Sequence, residues 1–314
     1  MPELAPPILA ERVLRLSHVA PFDAMSADQL ALVAAAGREQ AFPSRTVLVH
    51  AGERAQAHYI PLAGRLRLVS DGREFTPAQA HSGLGALSVL GRGALPADLV
   101  ADPGTVLLVL DQDAMLAVLE EHGQLSRTLL RLLAAQLQSV RRVQSVQPAS
   151  PPAPASSRLD LVSRMLLLRE ALGLEGGGMA VVARLARVVH ARRIASGAAL
   201  WDPEQVADVV IIVEGTVRLL RNGTEQRVVA PGEALGLVES VAGVPMEEQA
   251  VAVEETTLVV LSHPELTEAI EDDDPLCFDL IHSFAAQIWT VVVDSVARGE
   301  REPHPLPGQH DVRS

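Results

Sequence analysis

Apolar residues along the chain form short runs that are interrupted by single glycines. HYIPLAGRLRLV (58–69) and DVVIIVEGTVRLL (208–220) each carry one glycine in the middle, which predicts two strands joined by a tight turn. TVLLVL (105–110) and TTLVVL (256–261) are apolar throughout, which is typical of strands buried on both faces. About eight such strands with glycine-marked turns favour a jelly-roll-like barrel in each half of the chain.

Segments with apolar residues at helical spacing flank the predicted strands. SADQLALVAAAG (26–37) begins with the capping-box residues Ser26 and Gln29 and ends at Gly37, as expected for a short helix. Two longer segments, 124–142 and 274–296, carry an apolar stripe each. The stripes consist of Leu125, Leu129, Leu132, Leu133, Leu137 and Val140, and of Leu276, Leu280, Phe284, Ile288 and Val292. The pattern predicts a mainly β chain with helices flanking each strand-rich region.

The two strand-rich regions are copies of each other. Gly64 and Gly215 lie 151 residues apart, and the same offset pairs Gly85 with Gly236 and TVLLVL with TTLVVL. A register that holds through glycines, strands and turns indicates a tandem duplication. We call the two copies the first and the second repeat.

A segment rich in Pro, Ala and Ser, VQPASPPAPASS (146–157), separates the repeats. Such a composition is typical of an extended linker. We therefore predict a first domain over 1–143, a linker over 144–158, a second domain over 159–298 and a disordered tail over 299–314.

Composition excludes several classes of protein. The net charge of −13 argues against binding to nucleic acid, and neither long helix leads into a helix-turn-helix. The single cysteine, Cys277, rules out a disulfide framework within the chain. We expect a cytoplasmic protein without a membrane span, because no basic apolar leader and no apolar run of about 18 residues is found. Every basic residue is Arg, which we attribute to a GC-rich, bacterial genome.

No residue pattern indicates catalysis or a metal site. The chain lacks a G-x-S-x-G elbow, a phosphate-binding G-x-x-x-x-G-K loop, a G-x-G-x-x-G loop and an H-E-x-x-H helix. Its histidines are scattered, with no H-x-H pair. We therefore predict no catalytic residues, no metal and no cofactor.

Residues 19–69, VAPFDAMSADQLALVAAAGREQAFPSRTVLVHAGERAQAHYIPLAGRLRLV, resemble the start of a cyclic nucleotide-binding domain, as in the catabolite activator protein and kinase regulatory subunits. The resemblance extends over roughly 15–143 and 177–297. It implies a phosphate-binding cassette between two strands of each repeat. In that family a glutamate of the cassette binds the ribose 2′-hydroxyl, while an arginine and backbone N–H groups bind the cyclic phosphate.

We call residues 84–101 the first cassette and residues 235–252 the second cassette. In the first, Gly85 is followed by Ala86 where the resemblance implies the glutamate, Leu95 replaces the arginine, and Asp98 replaces a Thr or Ser. The matching positions of the second cassette are Gly236, Leu237, Met246 and Gln249. Both cassettes thus lack both charged anchors.

An anion taken from water without a partner costs several kcal/mol. Asp98 in the first cassette, and Glu247 and Glu248 in the second, would also repel a phosphate. Arg92 is an alternative cation for the first cassette. On balance the sequence predicts that cyclic nucleotides are not the ligands.

The sequence leaves two functions open. The favoured one is a non-catalytic regulatory or scaffolding protein that binds a protein partner or itself. The alternative is a small-molecule sensor with an altered pocket, which includes residual cyclic nucleotide binding. The long helices are the candidate interaction surface, or else they pack within the chain. Their predicted contact residues are Leu125, Leu129, Leu132, Leu133, Leu280, Phe284 and Ile288.

Overall fold

The computed structural model describes residues 6–18, 22–70, 73–75, 84–143, 159–174, 179–202 and 204–297. The predicted linker (144–158) and tail (299–314) lie outside the described residues.

The first repeat begins with two helices, continues with strands and ends with two helices. After a short 3-10 turn at Phe22–Ala24, the capping box of Ser26 and Gln29 starts the second helix as predicted. The elements are α1 (Pro6–Leu16), α2 (Ala27–Ala36), β1 (Arg38–Phe42), β2 (Thr46–Val49), β3 (Ala57–Ala63), β4 (Leu66–Ser70), β5 (Arg73–Phe75), α3 (Ala86–Leu90), β6 (Asp98–Ala101), β7 (Thr105–Asp111), α4 (Gln112–Glu121) and α5 (Gly123–Val143).

The second repeat has the same order of helices and strands. Its elements are α6 (Leu161–Ala171), α7 (Met179–Val188), β8 (His190–Ile194), β9 (Val209–Glu214), β10 (Val217–Arg221), β11 (Thr224–Val229), β12 (Ala234–Leu235), α8 (Leu237–Ala242), β13 (Gln249–Ala252), β14 (Thr256–Leu261), α9 (His263–Asp272) and α10 (Asp274–Ala297). The offset of 151 residues relates α3 to α8, β6 to β13 and β7 to β14, so the structure confirms the duplication.

Each repeat contains two antiparallel sheets of the jelly-roll type. The first has the strand orders β1-β7-β3 and β2-β6-β4-β5, and the second has β12-β9-β14-β8 and β11-β10-β13. This confirms the predicted jelly-roll-like class, although the described strands do not close into the barrels that the sequence predicts. β7 and β14 each lie between two strands and are buried over most of their length, which explains their unbroken apolar sequences.

The described chain divides into two compact units. One comprises residues 1–129 and 284–314, and the other comprises residues 130–283. The first unit therefore contains the C-terminal part of α10, and the second contains the C-terminal part of α5. Each cassette accordingly shares a unit with the end of the long helix that belongs to the other repeat.

One described helix, the Asp274–Asp294 part of α10, is long and apolar enough to cross a membrane by length and composition. A little more than half of its most apolar window is buried. Core helices of globular proteins have the same properties, so this is weak evidence for a membrane span.

Candidate functional site

A glycine with left-handed backbone geometry starts the short helix of each cassette. Gly85 has φ +105° and precedes α3, and Gly236 has φ +80° and precedes α8. A Cβ atom at Gly85 would collide with the carbonyl oxygen of Ala57, and one at Gly236 with that of Asp208. The conformation and the close approach both require glycine. Both cassettes thus retain the backbone turn that the resemblance implies.

Leu95 fills the position of the expected arginine with a buried apolar side chain. It is 2% exposed. Its backbone N–H donates to the carbonyl oxygen of Glu53 at 2.7 Å, and its carbonyl oxygen accepts from Gly52 at 2.8 Å. The residue is therefore fixed in the interior, where it offers no charge to a phosphate.

The other predicted positions of the first cassette differ in their contacts and in their exposure to solvent. Asp98 accepts a hydrogen bond from the backbone N–H of Ala51 at 2.8 Å, and its carboxylate is 3.7 Å from Nδ1 of His50. Ala86 is half-buried in the first turn of α3. Arg92, the alternative cation, is exposed and has the left-handed φ of +55°.

The end of α10 lies against the first cassette. Nε1 of Trp289 donates to the carbonyl oxygen of Ala94 at 3.1 Å, and the indole is 9% exposed. A Cβ atom at Gly93 would collide with this indole, so the glycine leaves room for the ring. The chain's own tryptophan therefore covers the segment between α3 and Leu95.

The second cassette has an apolar residue at the arginine position as well. Met246 is 6% exposed, whereas Leu237 is half-buried and Gln249 is exposed. The backbone of Glu248 accepts a hydrogen bond from Nε1 of Trp201 at 3.2 Å. Neither Met246 nor Leu237 offers a charged anchor.

Ionic groups surround the second cassette. An Arg221 guanidinium nitrogen lies 2.9 Å from a Glu248 carboxylate oxygen and 3.9 Å from one of Glu247. Arg227 pairs with Glu233, and that carboxylate also accepts from the backbone N–H of Ala230 at 3.0 Å. Two arginines, one on β10 and one on β11, are thus paired with three carboxylates near the cassette.

The charges of the second cassette also influence the pKa values of two further side chains, Arg141 of α5 and Glu239 of α8. Removal from water raises the pKa of the Glu239 carboxyl; its own backbone N–H and Arg141 lower it, and Glu248 and Glu247 raise it further. Removal from water also lowers the pKa of the Arg141 guanidinium, with Glu239 and Glu248 acting against this and Arg227 adding to it. We call the seven side chains the cassette charge cluster: Arg141, Arg221, Arg227, Glu233, Glu239, Glu247 and Glu248.

The model of the cyclic nucleotide-binding domain matches residues 39–122 and 191–273, which together make up more than half of the chain. The chain belongs to the cyclic nucleotide-binding domain family. Each matched range contains one cassette and the strand that follows it, β7 in the first repeat and β14 in the second. The two cyclic nucleotide-binding domains are therefore the two repeats. A search of curated proteins finds no match.

Solved structures of cyclic nucleotide-binding domains are similar to the chain. The regulatory domain of protein kinase A from Toxoplasma gondii with cAMP is 15% identical, with 91% of this chain and 99% of that chain covered and a TM-score of 0.34. The regulatory subunit of a cAMP-independent protein kinase A from Trypanosoma cruzi bound to guanosine is 15% identical, covers 95% and 94%, and has a TM-score of 0.34. A cyclic nucleotide-binding-like protein from Brucella abortus is 26% identical over 34% of this chain and 97% of that chain, with a TM-score of 0.32.

The predicted contact residues of the long helices lie mainly in the interior. Leu129 and Leu132 are half-buried, and the other five are at most 5% exposed: Leu125, Leu133, Leu280, Phe284 and Ile288. Packing within the chain was the alternative that the sequence left open. Side chains this deeply buried have little surface to offer to a partner, so interaction surface has to be sought elsewhere.

The sequence did not single out three residues at the cassettes, namely Trp289, Arg141 and Glu239. Trp289 and Arg141 belong to the long helices, far from the cassettes in sequence. Glu239 is within the second cassette, at the position equivalent to Ser88, but the family pattern assigns no role there. Ser88 is buried, accepts from the backbone of Ala55 and donates to that of Gly93. The sequence signal that could have identified Glu239 is this difference, a hydroxyl in the first repeat and a carboxylate at the equivalent position of the second.

Proposed function

We propose that this chain is a non-catalytic regulatory protein that acts through contacts with a protein partner or with itself and takes no cyclic nucleotide in either cassette. The observation that carries the proposal is the burial of Leu95 and Met246 at the two positions where a phosphate needs an arginine. A charge-assisted hydrogen bond of that kind contributes about 1.5–3 kcal/mol. Without it, the cost of desolvating a cyclic phosphate is not offset.

The surroundings of both cassettes support this proposal. In the first, Trp289 covers the backbone at Gly93 and Ala94. In the second, the cassette charge cluster has four carboxylates for three arginines, so a phosphate would have to compete with Glu239 and Glu248 for those arginines. Side chains of the protein itself thus surround both cassettes, which in a ligand-dependent regulator would bind the nucleotide.

Exposed apolar side chains support a role in protein contacts. In α6, Val162 is 63% and Leu166 is 58% exposed, while Leu168 on the other face of the helix is fully buried. A helix with apolar residues on both faces exposes more hydrophobic surface than folding within one chain requires. Regulation by contact, rather than by a small ligand, is consistent with this surface.

Thermal unfolding in the presence of nucleotide tests the proposal. We expect no change in Tm with 1 mM cAMP or cGMP, whereas a ligand present at 100 times its Kd adds about 2.7 kcal/mol. Light scattering and affinity capture, each repeated with the V162E/L166E variant, test the contacts. A nucleotide-dependent rise in Tm overturns the proposal, as does a monomer that captures no partner.

A further inference from the structure

Helices α1 and α2 of the first repeat, with Met25 between them, enclose an apolar groove. It has a volume of about 640 Å³, and among its described lining residues only Ser17 is polar. The Ser17 hydroxyl donates to the backbone carbonyl of Leu14 at 2.8 Å, so it already has a partner at the end of its own helix. Leu14, which lines the groove, is 62% exposed. We call this surface the α1/α2 groove, and its lining suits an apolar side chain better than a polar ligand.

The second repeat contains the same pair of helices, α6 and α7. In the first repeat, Nη1 of Arg12 on α1 donates to the carbonyl oxygen of Ala34 on α2 at 3.1 Å. In the second, Nη1 of Arg164 on α6 donates to the carbonyl oxygen of Ala186 on α7 at 3.3 Å. Arg164 and Ala186 each follow their counterpart by 152 residues, one more than the offset of the strands. This shared contact establishes which residues of the two helix pairs are equivalent.

At equivalent positions the second repeat has larger apolar side chains than the groove. Val162 takes the place of Ala10, and Met179 takes the place of Ala27. Val162 and Met179 are 63% and 52% exposed, and Leu166 on the same helix as Val162 is 58% exposed. We call these three side chains the α6/α7 ridge. One chain thus carries the same surface twice, once with small residues that leave a groove and once with large residues that protrude.

The two helix pairs also differ in charge. α2 carries one acid, Asp28, and no basic residue, and the exposed Asp23 precedes it. Its counterpart α7 carries two arginines, Arg184 and Arg187, and no acid, whereas α1 and α6 each carry both signs. Arg184 also donates to the carbonyl oxygen of Ala269 at 3.2 Å, and Arg187 is exposed. Opposite charges beside the groove and the ridge favour contact between them over contact of two ridges.

We propose that the α1/α2 groove of one copy of this chain takes the α6/α7 ridge of a second copy. The inference rests on the proposed function, for which it names the partner. Side chains of one helix surface pack into the grooves of another, and the two surfaces here match in apolar character, in size and in charge. The contact joins two different surfaces, so it is heterologous, and each copy brings one groove and one ridge to the assembly.

Light scattering of the 314-residue chain across a dilution series tests the contact with two matched variants. A10V/A27M fills the groove with the residues of the ridge, and V162A/M179A trims the ridge to the residues of the groove. We expect wild type to reach a mass of at least two chains of 33.4 kDa. Each variant should raise the dissociation constant by about tenfold or more.

Substitutions of the same kind at exposed positions of other elements provide the controls. A51V changes an exposed alanine of the turn after β2, and V228A changes a valine of β11 that is 50% exposed. Neither position belongs to the α1/α2 groove or to the α6/α7 ridge. Both controls should therefore associate like wild type.

Mixing the two variants decides whether groove meets ridge. A10V/A27M keeps an intact ridge and V162A/M179A keeps an intact groove, so the mixture should regain association that neither variant shows alone. Recovery on mixing also shows that both variants are folded. A monomeric wild type, a mixture that stays monomeric, or association lost in V162A/M179A but kept in A10V/A27M overturns the proposal. A monomer that captures another protein leaves the proposed function standing, whereas nucleotide binding removes the proposed function whatever the mass.

Discussion

The indole nitrogen of Trp289, near the end of the last helix, donates a hydrogen bond to the carbonyl oxygen of Ala94, 195 residues earlier in the chain. The contact joins α10 to the first cassette, which lies in the same compact unit. Gly93 beside it has no side chain that would displace the ring. The segment between α3 and Leu95 is thus packed against the last helix of the chain.

We predict that W289A loosens the first cassette much more than W289F. Removing a buried tryptophan leaves a cavity that costs about 3–5 kcal/mol. The phenylalanine variant loses one hydrogen bond, worth about 1 kcal/mol, and keeps most of the packing. Hydrogen exchange of peptides from residues 84–97 measures both effects. As a control, W201F removes an indole hydrogen bond in the other unit and should leave these peptides unaffected. Equal exchange in W289A and wild type would show that the indole does not hold the cassette.

G85A should destabilise the protein more than G104A. Both glycines have left-handed φ angles, which cost an L-residue about 1–2 kcal/mol. A methyl group at Gly85 also collides with the carbonyl oxygen of Ala57, whereas nothing lies within 4 Å of a Cβ atom at Gly104. Urea denaturation of the two variants measures the difference. Equal midpoints would contradict the close approach at the start of α3.

Restoring the family arginine with L95R should destabilise the first unit and fail to restore nucleotide binding. A charge placed where Leu95 is 2% exposed has no partner and costs several kcal/mol. The volume-conserving control L95M should cost less than about 1.5 kcal/mol. Urea denaturation with and without cAMP compares the two. Stabilisation of L95R, but not of L95M, by cAMP would show that the pocket is still functional.

Glu239 should make the stability of the second unit dependent on pH. Its folded-state pKa is raised above the ordinary value of 4.5, so the folded chain holds a proton where the unfolded chain has lost it. The stabilisation is complete below the unfolded pKa and is lost as pH rises through the folded pKa. Wild type should therefore lose stability relative to E239Q as pH rises above about 4.5. Urea midpoints across this range measure the difference, and the exposed control E255Q should follow wild type throughout.

Local sequence signals predicted the repeated fold correctly. The offset between Gly85 and Gly236 located both cassettes, because glycines with left-handed backbones mark turns that side chains cannot adopt. The uninterrupted apolar runs identified β7 and β14 as buried strands. The family and the fold class are therefore confirmed. Closure of the sheets depends on pairing between distant strand edges, which composition does not encode, and the sheets formed by the described strands are open.

The residues around the cassettes were harder to predict. Trp289 and Arg141 act at positions remote from the motifs, and helical periodicity describes which face of a helix is apolar, not which distant segment covers it. The same limit applies to Phe284 and Ile288, whose apolar stripe suits a partner interface and an internal core equally well; both are fully buried. The substitutions Ala86, Leu95, Leu237 and Met246 were readable from the sequence, and their effect on ligand binding stays a prediction.

Isothermal titration of the 314-residue chain with cAMP and with cGMP tests the central claim most directly. We predict no saturable heat of binding at nucleotide concentrations up to about 1 mM, because neither Leu95 nor Met246 supplies the charge-assisted contact to the phosphate. Saturable binding of either nucleotide, with a stoichiometry of one or two per chain, would contradict the claim.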